Sequence, residues 1–311
     1  MTQISVVIPV YNSEGSLHEL YRRLKTSIET ITEDFELIMV EDCGGDRSWD
    51  IIVELSKTDK RVKGLRLSRN FGQHNALLCG IRAAQGEIVV TMDDDLQHPP
   101  EEVPKLLDKL AEGYDVVYGT PQSEQHGLWR DLASRATKMV LQNTMGAETA
   151  RKASAFRAFR TWLRDAFASY QGPFVSIDVL LTWGTTRFSA ITVRHNSRRV
   201  GISHYTLRKL IAHALNMMTG FSTLPLQLAS LIGFIFTLFG MGILVFVIGR
   251  YLILGTSVPG FPFLASIIAI FSGAQLFALG IIGEYLARMH FRTMDRPIYV
   301  VRSMTGLKNE R

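Results

Sequence analysis

The sequence predicts a doubly wound α/β domain with a mostly parallel sheet, followed by interfacial helices and a two-helix transmembrane hairpin. Three observations predict it. Short apolar, β-branched runs alternate with stretches of helical spacing through the first part of the chain. Polar clusters follow those runs directly. No Asp, Glu, Lys or Arg falls between Lys209 and Arg250, nor between Arg250 and Glu284.

The elements follow in order. Ile4–Pro9 reads as a strand, closed by Pro9 and the Tyr11-Asn12 turn, with Asn12 or Ser13 capping a helix to about Thr30. Glu36–Val40 is a second strand, followed by Glu41-Asp42 and Gly44-Gly45. Asp46 or Ser48 caps a helix from Trp49 to Thr58. Val62–Leu67 is a third strand and His74–Ala84 a third helix. Ile88–Met92 is the fourth strand; Pro99 and Pro100 end its pairing, and Glu101–Leu110 resumes as a helix. Asp115–Tyr118 is the fifth strand. Ligands of such sheets sit beyond the strand C-termini, where Pro9–Tyr11, Glu41-Asp42 and Asp93–Asp95 all fall.

The densest chemistry lies in Val89–Pro100, where a buried strand ends in Asp93, Asp94 and Asp95. Adjacent carboxylates at a sheet edge are costly unless a cation neutralises them. A hard divalent ion, Mg²⁺ or Mn²⁺, takes oxygen ligands such as Asp93, Asp95 and the Gln97 carbonyl. Its remaining positions suit phosphate oxygens, so a nucleotide diphosphate is the expected ligand. A solvated acidic turn capping the next helix is the alternative. Asp42 can accept from the N–H edge of a uracil or guanine, and Tyr11 can stack on it, although Asp42 also suits a turn before Gly44. Ser68–His74 offers backbone amides and Arg69 to a phosphate or sugar, unless Arg69 is a plain surface residue. Neither G-x-G-x-x-G nor G-x-x-x-x-G-K-[ST] occurs, which argues against a dinucleotide dehydrogenase or a P-loop ATPase.

Composition narrows the partners. The 311 residues carry a net charge of +5 with 47% hydrophobic residues, so an anionic partner is expected. The segregated apolar stretches make that partner a membrane, not nucleic acid. Two cysteines, Cys43 and Cys79, fit a reducing compartment, and a chain opening on a strand implies no signal peptide.

Ile8-Pro-Val-Tyr-Asn12, Val40-Glu-Asp-Cys43, Leu67–His74 and Asp93–Glu101 together resemble the family 2 glycosyltransferases of GT-A fold. The branch most similar is that of polyprenyl-phosphate glycosyltransferases, which includes dolichol-phosphate mannose synthase and bacterial undecaprenyl-phosphate sugar transferases. The resemblance implies nucleotide contacts from Pro9, Tyr11, Asn12, Asp42 and Asp93–Asp95, with Asp95 and Gln97 on the metal. Ser13 stands where the family usually has Glu, and Glu14 is the expected substitute. Ser154-Ala-Phe-Arg157 matches a segment that in some members carries a proposed catalytic carboxylate; Ala155 takes its place here. Arg157 and Arg199 join Asp93 and Asp95 as catalytic candidates. Val193–Tyr205 resembles the family's Arg-x-x-Gly-x-Ser-Lys-Tyr signature, which sets Arg198, Arg199 and Ser203 on diphosphate or lipid phosphate, with His204 in place of Lys.

A phosphate monoester has a second pKa of about 6, so such an acceptor is mostly dianionic near neutrality and needs no general base. His74 and His98 are fallback bases. Leu128–Leu141 reads as a basic amphipathic helix and Leu207–Met218 as an interfacial one. Leu224–Gly249 and Phe263–Gly283 are each long enough to span the bilayer. Arg208, Lys209, Arg288, Arg292 and Arg296 flank the pair against Arg250 alone between them, placing the catalytic domain in the cytoplasm. Gly233/Gly240 and Gly273/Gly280 predict stripes that meet each other or a neighbouring subunit, Glu284 pairs with Arg288, and Arg296–Val301 reads as an extended return to the soluble part. The expected domains are 1–205 catalytic, 206–222 interfacial, 223–287 hairpin and 288–311 tail.

The expected function is transfer of a sugar, with inversion, from a nucleotide diphosphate (UDP first) to undecaprenyl phosphate, for envelope glycan modification. A multi-pass protein of the bacterial inner membrane is implied, and the resemblance suggests a homotetramer. The competing expectations are a processive polysaccharide synthase, whose Gln-x-x-Arg-Trp motif is missing, and a non-catalytic membrane adaptor or flippase partner with a degenerate domain.

Overall fold

The computed structural model describes residues 3–121, 152–172, 174–196, 224–254 and 260–307. It divides into two compact units, Met1–Ile211 with Asp295–Arg311, and Ala212–Met294.

The first unit is built on one sheet of eight strands, β1 (Ile4–Val10), β2 (Phe35–Glu41), β3 (Val62–Leu67), β4 (Ile88–Thr91), β5 (Val116–Pro121), β6 (Arg157–Arg160), β7 (Phe188–Val193) and β8 (Val301–Thr305). Their order is β7-β5-β6-β4-β1-β2-β3-β8. The core β4-β1-β2-β3 is parallel, while β6 pairs antiparallel with both β4 and β5, and β8 antiparallel with β3. Every residue of β1 and β2 is buried, as continuous apolar runs covered on both faces require. Strands are added from β1 outward to β2 and β3 on one side and then to β4 on the other, so the order of addition reverses between the parallel strands β1 and β4. A crevice opens there at the C-terminal ends of the strands.

Helices α1 (Leu17–Glu29), α2 (Ser48–Thr58), α3 (Gln73–Ala83), α4 (Val103–Ala111) and the short α5 (Ile177–Leu181) cover this sheet. Helix α1 buries Leu17, Leu20, Leu24 and Ile28, a single apolar stripe at helical spacing. It starts later than the sequence implies. Ser16, not Asn12 or Ser13, is its N-cap, because Asn12 is in the left-handed region (φ 54°) and the Ser13 carbonyl instead closes a turn onto Ser16 and Leu17. Likewise α2 opens at Ser48 after Arg47, with Asp46 accepting from the Ser48 N–H at 3.0 Å.

The second unit is a pair of packed helices, α6 (Leu224–Leu254) and α7 (Phe261–Thr293). Pro225–Ile253 and Ile270–Thr293 are apolar and long enough to cross a membrane, with none of their most apolar windows buried, unlike a core helix of a soluble domain. Phe236 and Phe271 meet edge to face at 5.5 Å between the helices. The glycine stripes do not face each other along their length within the hairpin. Only a Cβ at Gly240 would approach the partner helix, 3.2 Å from Phe271, whereas Gly233, Gly273 and Gly280 adjoin open space. Glu284 accepts from Arg288 at 2.6 Å, the expected one-turn pair.

Candidate active site

Three loops leave the C-terminal ends of β1, β2 and β4, and each turns through a non-glycine residue of positive φ: Asn12 (54°), Cys43 (56°) and Leu96 (59°). Such residues cost free energy and cluster at functional rims. The loops are stitched together. Asn12 Oδ1 accepts from Gly45 N–H at 2.7 Å, and Gly44 must lack a side chain because a Cβ would lie 2.6 Å from that oxygen. Asp94 accepts from Tyr11 N–H at 3.0 Å and from the Ser13 hydroxyl, joining the first loop to the fourth.

The cleft so formed, about 260 Å³, is lined by Pro9, Val10, Tyr11, Asp42, Asn70, Gly72, Gln73, Asp93, Asp94 and Asp95. The sequence-predicted Pro9, Tyr11, Asp42 and Asp93–Asp95 therefore converge on one space. Tyr11 is 51% exposed and free to stack on a base. Asp42, 3% exposed, carries a second role that the sequence did not show. Its two oxygens accept from Phe71 N–H at 2.7 Å and Gly72 N–H at 2.8 Å, so it braces the loop between β3 and α3. Burial pushes its carboxyl up against the pull of those two amides. The amides expected to cradle a phosphate are thus engaged by Asp42.

Several other expectations shift. Glu14 does not line the cleft; its carboxylate accepts from Arg47 N–H at 3.0 Å at the start of α2, and Ser13 holds Asp94 instead. Arg69 stacks on Phe71 at 4.5 Å and lies outside the lining. The Gln97 carbonyl accepts from Asn196 N–H at 2.8 Å, leaving one lone pair for a cation. Arg157 is 1% exposed, ion-paired with Asp178 and 5.8 Å over the Tyr118 ring. Tyr118 donates to the same Asp178 oxygen at 3.0 Å. His98 packs on Phe156 at 5.2 Å and on His195 at 5.0 Å, and burial pushes its pKa down to about 4, so it is neutral. His74 Nδ1 faces Ile177 N–H at 3.5 Å. Arg198, Arg199, Ser203, His204 and the helices expected at 128–141 and 207–218 lie outside the described residues.

The sequence reading missed Asn70, Gln73, Asp178 and Tyr118. Gln73 donates to Asp93 Oδ1 at 2.6 Å, a contact from the N-terminus of α3 that only the fold brings together.

Whether these residues suit a cation is decided by the donor set. Burial, then the Asp95 and Asp94 carboxylates, push the Asp93 carboxyl up to about 7, against the opposing Arg157 and Gln73. Burial likewise raises Asp94. Carboxylates this hard to ionise together invite a hard cation. Among the described residues no three His, Cys, Asp or Glu side chains group so as to hold a metal by themselves, so an ion on Asp93 or Asp95 would need further oxygen ligands such as those of a phosphate.

With its carboxyl raised to about 7, Asp93 keeps its proton in the folded protein between about pH 4 and pH 7, where an unfolded chain has lost it, so this group's stabilisation is lost as pH rises through about 7. A divalent cation bound at this tip would take the proton's place. Without divalent ions the melting temperature is expected to fall between about pH 5 and pH 8, and Mn²⁺ to raise it more at the higher pH. A Mn²⁺ effect equal at both would refute the assignment.

Comparison with known proteins agrees with this geometry. Residues 5–170 match the family Glycosyl transferase family 2. An undecaprenyl-phosphate 4-deoxy-4-formamido-L-arabinose transferase of Pectobacterium carotovorum subsp. carotovorum (strain PC1) is 36% identical over 301 residues, 96% of this chain and 92% of that protein. Glucosyl-3-phosphoglycerate synthase of Mycobacterium tuberculosis shares the fold. Its crystal structure with Mn²⁺, uridine-diphosphate and glucosyl-3-phosphoglycerate aligns at a TM-score of 0.51 and 20% identity, over 70% of this chain and 78% of that one. The structure with Mn²⁺, uridine-diphosphate-glucose and phosphoglyceric acid gives the same values. With the crevice between β1 and β4, the acidic tip of β4 and this full-length relative in agreement, the chain belongs to glycosyltransferase family 2 and has a GT-A-like fold.

Proposed function

We propose that the protein is a metal-dependent, inverting glycosyltransferase that moves a sugar from a nucleotide diphosphate, UDP first, to a polyprenyl phosphate, undecaprenyl phosphate first. The observation that carries this reading is the match to an undecaprenyl-phosphate sugar transferase across 96% of the chain, including the cleft and both apolar helices. Mn²⁺ and UDP in the GT-A neighbours support the donor and the ion.

The residues divide the work. Tyr11 stacks on the base, and Pro9 and Asn12 shape the first loop around it. Asp93 and Asp95 would hold Mg²⁺ or Mn²⁺, with the Gln97 carbonyl in reach, and the bound ion supplies Lewis-acid stabilisation of charge on the departing diphosphate. Gln73 orients Asp93. In the transfer, an acceptor phosphate oxygen forms a bond to the anomeric carbon while the bond from that carbon to the β-phosphate oxygen breaks, its electron pair leaving with the nucleoside diphosphate. The acceptor is ionised already, which leaves the protein to position and screen it. Arg198, Arg199 and Ser203 from the 193–205 segment would supply that screening, whereas Arg157 is enclosed and spent on Asp178.

The basic residues flanking the two apolar helices support a bacterial inner-membrane protein with both ends of the pair, and the first unit, on the cytoplasmic side. The product would feed envelope glycan modification, and the open glycines of α6 and α7 suit a homo-oligomer, a tetramer by resemblance.

The test is a panel of UDP- and GDP-sugars offered with undecaprenyl phosphate and Mn²⁺ to the purified protein, following lipid-linked product. One donor is expected to give product, and chelation to stop it. Cleavage of a donor without any lipid product, or no turnover with any donor, would overturn the proposal.

A further inference from the structure

The chain that follows α7 returns to the first unit and holds the donor cleft from behind. Strand β8 adds antiparallel to the edge of β3, pairing Leu65 with Met304 and Gly64 with Thr305. It is seated closely: a Cβ at Gly64 would lie 2.7 Å from Thr305, and the Ser56 and Thr305 hydroxyls are 2.7 Å apart. One residue before β8, the Val300 carbonyl accepts from Ser68 N–H at 2.8 Å, at the first residue of the loop that carries Asn70, Gly72 and Gln73 into the cleft. Beside it the half-buried Tyr299 lies against the far end of α3. Its ring is 5.7 Å from the Arg82 guanidinium, and its hydroxyl adjoins the buried thiol of Cys79. Arg82 in turn donates to the Tyr170 carbonyl at 2.7 Å.

The returning segment thus grips residues 68–83 at both ends. Between those ends lie the contacts that form the cleft wall: Phe71 and Gly72 N–H on Asp42, and Gln73 on Asp93. Helix α3 is one rod of 11 residues, so a shift at Cys79 and Arg82 moves Gln73 with it. An edge strand that only shielded β3 would need the β8 ladder but not the contact on α3.

We propose that Tyr299 is a positioning residue for the nucleotide donor, setting Gln73 and the 68–72 loop through Arg82 and Cys79 without touching the donor itself. This deepens the reading of the cleft as a nucleoside diphosphate site and rests on it.

The test uses the full-length protein in lipid nanodiscs, with UDP and Mn²⁺ as the probe. Tyr299→Ala is expected to weaken UDP binding roughly tenfold. Tyr299→Phe, which keeps the ring beside Arg82 but loses the hydroxyl at Cys79, should weaken it by only about threefold. Amide exchange should quicken in 68–83 of Tyr299→Ala and stay unchanged in β1 and β2. If the alanine variant does not fold, Tyr299→Leu keeps most of the volume and serves instead. Unchanged UDP affinity, or a loss accompanied by faster exchange throughout the sheet, overturns the proposal. A wild-type protein that binds neither UDP nor GDP with Mn²⁺ overturns the donor reading, and the proposal with it.

Discussion

Asp95→Asn is expected to lower the rate of sugar transfer by about 10²–10³-fold at saturating donor. The substitution removes one negative charge from the tip of β4 while keeping an oxygen that can accept from Gln97 N–H, now at 3.1 Å from Asp95 Oδ1. The loop therefore keeps its shape, and the loss falls on cation binding and on stabilisation of the leaving diphosphate. Steady-state transfer with Mn²⁺, alongside a melting curve, separates these effects. The melting temperature should hold or rise, because one member of a repelling set has been neutralised. A variant that transfers at the wild-type rate would end the account of the acidic tip as the metal site.

Asp178→Ala carries the largest expected effect on stability, about 3–5 kcal/mol. Arg157 is fully enclosed, and Asp178 is its partner in the ion pair as well as the acceptor of the Tyr118 hydroxyl. Deleting the carboxylate strands a buried guanidinium whose Nε already lacks a partner, and leaves a buried phenol without an acceptor. Arg157→Met with Asp178→Leu should recover much of the loss, since removing both charges also removes both desolvation costs. Thermal or denaturant unfolding of the four proteins of the cycle measures this. A single Asp178→Ala variant within about 1 kcal/mol of wild type would show that the pair carries no such strain. Because Arg157 also draws the Asp93 carboxyl downward, its removal should make the acidic tip harder to ionise.

The sequence made the parallel core legible because β1, β2, β3 and β4 announce themselves as apolar runs with turn chemistry behind them. The acidic residues after β4 and the polar residues after β1 and β2 were legible for the same reason: a doubly wound sheet sends all of its strand C-termini to one rim. What stayed hidden depends on distant partners. Arg157–Arg160, four residues with a charge at each end, becomes β6 only by pairing with β4 and β5, and Arg157 is buried only because Asp178 meets it. Phe188–Val193 alternates too weakly to predict a strand, yet pairs parallel with β5 over six residues. Gln73 reads as an ordinary first-turn residue until the fold sets it on Asp93. Helix starts slipped at Ser16 and Ser48 because the preceding loops spend their polar side chains on one another.

Leu96 sits two residues before the histidine that packs on Phe156, in a backbone conformation that glycine would adopt more cheaply, yet its side chain is buried in the central apolar cluster. A hydrophobic peg is thereby driven into the interior from the middle of the acidic turn. The turn cannot relax towards a commoner shape without drawing that peg out and opening a void beneath the sheet. The oxygens that greet an incoming ion are consequently pre-aimed, and association need not first freeze a floppy loop.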